Sequence, residues 1–220
     1  MKIKKVVTTY FYNPNYAYFL ASLVLLILLP PFIFKSFLGI LSFKIIYGIV
    51  LFLGSFHITQ NLKQLLLSVI LSALVYLSFL LNIESYTLGV YSLFLSTALF
   101  TLFLIHLIKY IISMKKVNAN SLFACISGYI LLGIVASFLF TLLNLFTENT
   151  AFNIASENFY DLLYFSFTTI TSVGYGDIVP VSQLAKSVTI LVSVLGQIYL
   201  TFLVAIIIGK YLVTETKETY

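Results

Sequence analysis

Apolar runs long enough to cross a lipid bilayer recur along almost the whole sequence. A hydrocarbon core about 30 Å thick takes about 20 helical residues, because an α-helix rises about 1.5 Å per residue. This length predicts six membrane-spanning helices, at residues 18–34, 38–56, 65–83, 86–112, 122–146 and 182–213. Only 9% of the 220 residues are charged and 61% are hydrophobic, which excludes a soluble catalytic domain. We therefore expect an all-α integral membrane protein.

The segment at residues 159–171 is apolar but too short to cross, since as a helix it would be about 20 Å long. It lies between the fifth and sixth predicted spans, so we expect it to enter the membrane and return to the same side. Asn158, followed three residues later by Asp161, is typical of a helix start. Non-helical backbone at membrane depth is tolerated only where it faces protein or a water-filled cavity. The chain after this short helix is therefore predicted to line a water-filled path.

The placement of lysine predicts the orientation in the membrane. All 12 basic residues are Lys, and loops on the cytoplasmic side of a membrane are enriched in basic residues. With the N-terminus inside, most of them fall on the cytoplasmic side, namely Lys2, Lys4, Lys5, Lys63, Lys109, Lys115, Lys116, Lys210 and Lys217. Only Lys35, Lys44 and Lys186 fall outside. We expect a multi-pass protein of the cell membrane with both termini in the cytoplasm.

Two glycines flank a tyrosine in the run that ends the short helix, which reads Thr-Thr-Ile-Thr-Ser-Val-Gly-Tyr-Gly-Asp from Thr168 to Asp177. Gly174 and Gly176 permit positive φ, so successive carbonyl groups can turn to the same side instead of alternating as in a strand. A row of such oxygens, repeated around an axis, can replace the hydration shell of a monovalent cation. An ordinary turn is the alternative. The preceding short helix and the two flanking spans favour the cation site.

The run from Thr169 to Asp177 resembles the selectivity filter of potassium channels, whose pattern is Thr-x-x-Thr-x-Gly-Tyr-Gly-Asp. Ser172 is the one departure, since the family usually has Thr there. The resemblance covers residues 121–213 and implies an outer helix, a pore helix, a filter and an inner helix. It also implies K⁺ sites at Ser172, Val173, Gly174 and Tyr175, with Thr169, Gly176, Asp177 and Tyr164 supporting the filter.

Rings of carbonyl groups need several copies of a chain that holds one filter motif, so the resemblance implies a homotetramer embedded in membrane lipids. K⁺ would be the transported ion. No organic cofactor, no nucleic acid and no catalytic residue is expected.

The resemblance assigns further roles around the filter. Potassium channels carry large aromatic residues behind the filter, at the positions of Tyr164 and Phe165, and the polar atom of such a ring can reach the Asp that follows. This implies a hydrogen bond from the Tyr164 hydroxyl to Asp177, with packing at the membrane interface as the alternative for Tyr164. Gly196 lies where inner helices often have a hinge glycine about one turn below the filter, although close helix packing would also explain it.

Three more residues of the last span are expected to face the central cavity, namely Gln197, Leu200 and Val204. Gln197 is the most informative of them because it is polar in the middle of a span. A hydrogen bond between helices is the alternative for its side chain.

The sequence predicts three parts, a four-span N-terminal membrane domain at 1–120, a pore domain at 121–213 and a short cytoplasmic tail at 214–220. The fourth span lacks the regular series of basic residues that a voltage sensor needs. We therefore expect a passive potassium-selective channel that is not gated by a charged voltage sensor. A weakly selective cation channel and a non-conducting regulatory subunit are the alternatives, and no signal identifies the gating stimulus.

Overall fold

Seven helices make up the described part of the chain. The computed structural model describes residues 15–33, 37–58, 62–81, 86–114, 117–154 and 159–218. The helices are α1 (Tyr16–Ile33), α2 (Phe37–Ile58), α3 (Leu62–Leu81), α4 (Tyr86–Ser113), α5 (Ala119–Phe146), α6 (Phe159–Ile170) and α7 (Gln183–Glu218). Among the described residues the one β contact is an isolated antiparallel bridge between Phe152 and Pro180. The predicted all-α class is confirmed.

Three of these helices are long and apolar enough to cross a membrane, over Gly89–Ser113, Ala119–Phe146 and Gln183–Lys210. They correspond to the fourth, fifth and sixth predicted spans. The parts of α1, α2 and α3 whose side chains the structure describes hold shorter apolar stretches, Tyr16–Leu29, Lys44–Phe56 and Leu66–Ser78. The first three spans therefore stay predictions. α7 continues to Glu218, five residues into the stretch predicted as a tail at 214–220.

The N-terminal helices share one aromatic core with α5. Phe100 of α4 lies edge-on to Phe138 of α5, with ring centroids 5.4 Å apart. Tyr47 of α2 also stacks on Phe100, with ring centroids 6.0 Å apart, and its hydroxyl shares a 2.7 Å hydrogen bond with Ser96. The predicted boundary near residue 120 therefore divides the chain between helices whose side chains pack together.

The start of α1 and the end of α4 lie at the same end of the bundle. The backbone N–H of Tyr16 donates to Asn120 Oδ1 at 2.7 Å, and its ring lies 4.7 Å from that of Tyr110. α5 begins close by, where Asn118 caps the helix by accepting a 2.8 Å hydrogen bond from Ser121 N–H. The first four helices thus return the chain to the end at which α1 started.

Lys210 joins the far part of α7 to this same end. Its ammonium donates to the carbonyl oxygens of Ile111 at 3.2 Å and Ile112 at 2.9 Å, and also to that of Met114. Ile111 and Ile112 carry two of the last carbonyl groups of α4, which have no partners within the helix and carry its partial negative charge, and Met114 is the first residue after the helix. A cation there is favoured, so the bond fixes α7 to the end of α4.

Small and apolar residues hold α6 in the angle between α5 and α7. Ser166 donates to the Gly133 carbonyl oxygen at 2.8 Å, and a Cβ on Gly133 would lie 2.6 Å from the Phe167 ring. Phe165 packs against Phe140 and Phe152, with ring centroids 5.1 and 5.2 Å away. These contacts fix the position of α6 against α5, and with it the position at which the following segment begins.

Candidate functional site

The site begins where α6 ends, and its last carbonyl groups are all paired. The predicted cap Asn158 lies outside the described residues, while Asp161 lies in the first turn of α6. At the other end, the carbonyl oxygen of Thr168 accepts from Val173 N–H at 3.0 Å and from Gly174 N–H at 3.1 Å, and that of Thr169 accepts from Ser172 N–H at 3.1 Å. The chain therefore leaves the helix in a tight turn.

The following residues, 172–177, form what we call the filter segment, and their backbone alternates in hand. φ is positive at Ser172 (58°), Gly174 (51°) and Gly176 (82°), whereas the intervening Val173 and Tyr175 have negative φ. Alternation of this kind turns successive carbonyl groups toward one side, whereas in a β-strand successive carbonyl groups point in opposite directions. The positive φ predicted at the two glycines is confirmed. The left-handed conformation of Ser172 was not predicted.

Within the single chain, space does not explain the two glycines, because a Cβ at either position would have no neighbour within 4 Å. Their requirement is conformational, since left-handed backbone costs a residue with a Cβ about 1–2 kcal/mol. All side chains from Thr171 to Asp177 are exposed on the single chain. The segment thus presents its oxygen atoms to surroundings that this chain alone does not fill.

Tyr164 and Asp177 are hydrogen-bonded at the far end of the filter segment. The bond from the Tyr164 hydroxyl is the main reason that the pKa of the Asp177 carboxyl lies below its ordinary value of 3.8. The Tyr164 ring also lies parallel to that of Tyr175, with centroids 6.3 Å apart. The two side chains thus interact as the resemblance implied, with a ring stack on the filter segment beside them, and their role in supporting a filter stays a prediction.

Asn153, in the loop after α5, holds the backbone that leaves the filter segment. Its Nδ2 donates to the Asp177 carbonyl oxygen at 3.1 Å, and its Oδ1 accepts from Val179 N–H at 2.6 Å. Two further backbone bonds join Ala151 to Val181 and Ser182. The chain therefore comes back beside the point at which it left α5.

At the near end of the segment, α5 and α7 both bond to the last residue of α6. The carbonyl oxygen of buried Ile170 accepts from the Tyr129 hydroxyl at 3.0 Å and from Gln197 Nε2 at 3.3 Å. Gln197 Nε2 also donates to Ser172 Oγ at 2.7 Å. Gly196 lets α7 come this close, because a Cβ there would lie 2.8 Å from the Ile170 carbonyl oxygen and 2.9 Å from its Cα.

Four residues of α7 were predicted to line the cavity or take part in gating. Gly196 and Gln197 contact the end of α6, and for Leu200 and Val204 the structure gives only their exposure. Gly196 is buried against the end of α6, a position that fits close packing, and its hinge role stays a prediction. Gln197 makes the interhelical hydrogen bonds that were the alternative for it. Leu200 is half-buried and Val204 exposed. Their place in a cavity stays a prediction.

Two residues that bond to the filter region, Tyr129 and Asn153, were not predicted from the sequence. Each bonds to a residue at least 24 positions away along the chain. Tyr129 sits in an apolar run rich in aromatic residues, and Asn153 sits in a polar loop, so neither differs from its neighbours in composition. Only the return of the chain beside α5 brings them to the site.

Comparison with known proteins gives two matches. Residues 124–213 match the family model Ion_trans_2, described as an ion channel. Over 83 residues, 38% of this chain, the sequence is 30% identical to the calcium-gated potassium channel TvoK of Thermoplasma volcanium. That match spans 23% of the relative's length. No solved structure matches the chain significantly.

The family match covers the part of the chain that holds α6 and the filter segment, and the match to the potassium channel covers a stretch of 83 residues. They support a relationship with potassium channels, and they favour a membrane ion channel over an enzyme. Residues 124–213 of this chain are therefore similar to an ion-channel domain.

Proposed function

We propose that this chain is one subunit of a homotetrameric channel that conducts K⁺ passively across the cell membrane. One observation carries the proposal, the alternating left-handed backbone at Ser172, Gly174 and Gly176 directly after a helix of 12 residues. In a ring of four copies, the carbonyl oxygens of Val173, Gly174 and Tyr175 and the Ser172 hydroxyl take the place of water around a dehydrated cation.

The return of the chain supports a re-entrant pore loop. α6 is about 18 Å long and cannot cross a core of about 30 Å. The contacts of Asn153 with Asp177 and Val179 place the exit of the filter segment beside the end of α5. On this proposal α1 to α5 and α7 are the six spans, with both termini in the cytoplasm.

The exposed face of α7 supports assembly into a tetramer. Only 11% of its apolar stretch is buried in the single chain, against 61% for α5. Its exposed large apolar side chains include Ile190, Leu191, Val194, Leu195, Ile198, Phe202, Val204 and Ile208. In the proposed tetramer the filter segments surround the axis, and α7 contacts the start of its own filter segment through Gln197. α7 from each copy therefore lines the axis, and the rest of its exposed surface packs against neighbouring copies.

The bond between Tyr164 and Asp177 is proposed to brace the outer end of the filter. Tyr164→Phe removes the hydroxyl but keeps the ring that stacks on Tyr175, so K⁺ current should decay several-fold faster while selectivity is retained. Asp177→Asn should resemble it. The double variant should be little worse than either single one, because both remove the same interaction. Additive effects would refute the brace.

The same bond predicts a pH dependence with a definite sign. Because the pKa of Asp177 is lowered, the brace is fully present above the ordinary value of 3.8 and is lost as pH falls through the lowered value. Current decay in the wild type should be unchanged by acidifying the outer solution to about pH 5 and should accelerate only below the ordinary value of 3.8, as pH falls through the lowered pKa. Acceleration near pH 6 would contradict this assignment.

Gating by voltage is expected to be weak. Each elementary charge that crosses the membrane field contributes about 2.3 kcal/mol per 100 mV. α4 carries one basic residue, Lys109, near its end, and no regular basic series. In planar bilayers, open probability should therefore change by less than a few-fold over about 100 mV. Steep activation would show that another part of the protein senses voltage.

A non-conducting regulatory subunit is the rival that needs a direct test. The purified protein, reconstituted alone into liposomes loaded with K⁺, is expected to release K⁺ when an ionophore for protons balances the charge. Absence of release from liposomes that contain folded tetramer would favour the regulatory subunit.

A further inference from the structure

The side-chain amide of Gln197 bridges the end of α6 and the start of the filter segment. Nε2 lies 2.7 Å from Ser172 Oγ and 3.3 Å from the Ile170 carbonyl oxygen. The nitrogen must be the atom that faces this pair, because a carbonyl oxygen only accepts hydrogen bonds. Ser172 Oγ is therefore an acceptor for Gln197, and it keeps a second lone pair for another partner.

Ser172 needs such a partner more than a threonine would. Threonine is branched at Cβ, which restricts rotation about χ1, whereas the serine hydroxyl has three staggered positions of similar access. Ser172 also has φ of 58°, a conformation that few non-glycine residues adopt and that persists only where the surroundings hold it. The bond from Gln197 supplies from α7 the restraint that the missing methyl group would supply within the side chain.

We propose that Gln197 is a positioning residue that holds the Ser172 hydroxyl in one orientation and thereby sets the affinity of the innermost ion site. The inference rests on the proposed function, because the site exists only in a conducting tetramer. Four amide groups, one from each copy, then hold four hydroxyl oxygens around the axis. Gln197 itself does not touch the ion.

Ba²⁺ is a suitable probe of this site, since it matches K⁺ closely in size and carries twice the charge. Block by Ba²⁺ is measured on K⁺ currents, with Ba²⁺ added on the side that the end of α7 faces. Gln197→Met keeps the length of the side chain and removes the donor, so Ba²⁺ affinity should fall by about tenfold. Gln197→Asn, which withdraws the amide by one methylene, should have a similar effect and serves as a second variant.

The decisive comparison uses Ser172→Thr as the background. There the methyl group restrains the hydroxyl, so adding Gln197→Met should change Ba²⁺ affinity by less than about twofold. Thr201→Val is the matched control. Thr201 lies one turn further along α7 and donates to the Gln197 carbonyl oxygen at 2.9 Å within its own helix. We expect its Ba²⁺ affinity to stay within about twofold of the wild type.

Two results would overturn the inference while the channel assignment stands. One is unchanged Ba²⁺ affinity in both Gln197 variants of a channel that still selects K⁺. The other is an equal loss in the serine and threonine backgrounds, which would mean that Gln197 acts independently of the Ser172 hydroxyl. A wild-type protein that passes no K⁺ would instead refute the proposed function, before any variant is compared.

Discussion

Replacing Gly174 with alanine is expected to abolish K⁺ current. φ at this position is 51°, and a Cβ there would meet nothing of its own chain within 4 Å, so the substitution changes conformational preference and leaves the packing within the chain unaltered. Left-handed backbone costs an alanine about 1–2 kcal/mol. The cost falls on each of the four proposed copies at the same ring of oxygen atoms, which is enough to favour a non-conducting arrangement. Single-channel recording of the purified variant measures the effect.

Gly209→Ala is the matched control for this experiment. Gly209 lies in α7, a Cβ there would meet nothing of its own chain within 4 Å, and it is not among the glycines with positive φ. Its replacement should leave current close to the wild-type level. The Gly174 variant should also elute as a tetramer, because no packed side chain of the single chain is altered. Wild-type current from this variant would refute the assignment of the filter.

Replacing Gly196 with alanine is expected to lower both thermal stability and current. The new Cβ would lie 2.8 Å from the carbonyl oxygen of Ile170 and 2.9 Å from its Cα, and neither backbone atom can move away without shifting the end of α6. Overpacking of this kind typically costs about 1–3 kcal/mol. The shift would also separate Gln197 from Ser172. Thermal unfolding of the purified protein in detergent, together with K⁺ flux, measures both effects.

Gly209→Ala serves again as the control, because alanine in an open helical position is favoured over glycine by about 1 kcal/mol. Its melting temperature should stay the same or rise. The comparison also separates the two roles considered for Gly196. If Gly196 is a hinge, its replacement should impair opening of the channel without lowering stability. Reduced current at an unchanged melting temperature would therefore favour the hinge over close packing.

Helix positions followed closely from apolar length, as α6 illustrates. It was predicted at 159–171 and spans Phe159–Ile170, because a short apolar stretch with a polar start has few other ways to bury itself. The start of α5 was placed at residue 122, three residues late. Asn118 caps that helix, and residues 119–121 are polar or small, so their helical state depends on the cap more than on hydrophobicity.

Within the site, the sequence predicted the backbone better than the contacts. Only glycine takes positive φ without cost, so Gly174 and Gly176 could be assigned from residue type alone. Gln197 was recognised as an unusual polar residue, but its partners lie 25 and 27 positions earlier in the chain. Which of them it meets depends on how closely α7 approaches α6, and that distance is set by Gly196. Periodicity along one helix carries no such information.

The most direct test of the central claim, potassium selectivity, is the reversal potential of the purified protein in a planar bilayer with K⁺ on one side and an equal concentration of Na⁺ on the other. A permeability ratio of tens displaces the reversal potential from zero by about 60 mV or more, since each tenfold ratio corresponds to about 59 mV for a monovalent ion. We expect a displacement of at least this size, in the direction of K⁺ selectivity. A reversal potential near zero, with current passing, would contradict the account and favour a weakly selective cation channel.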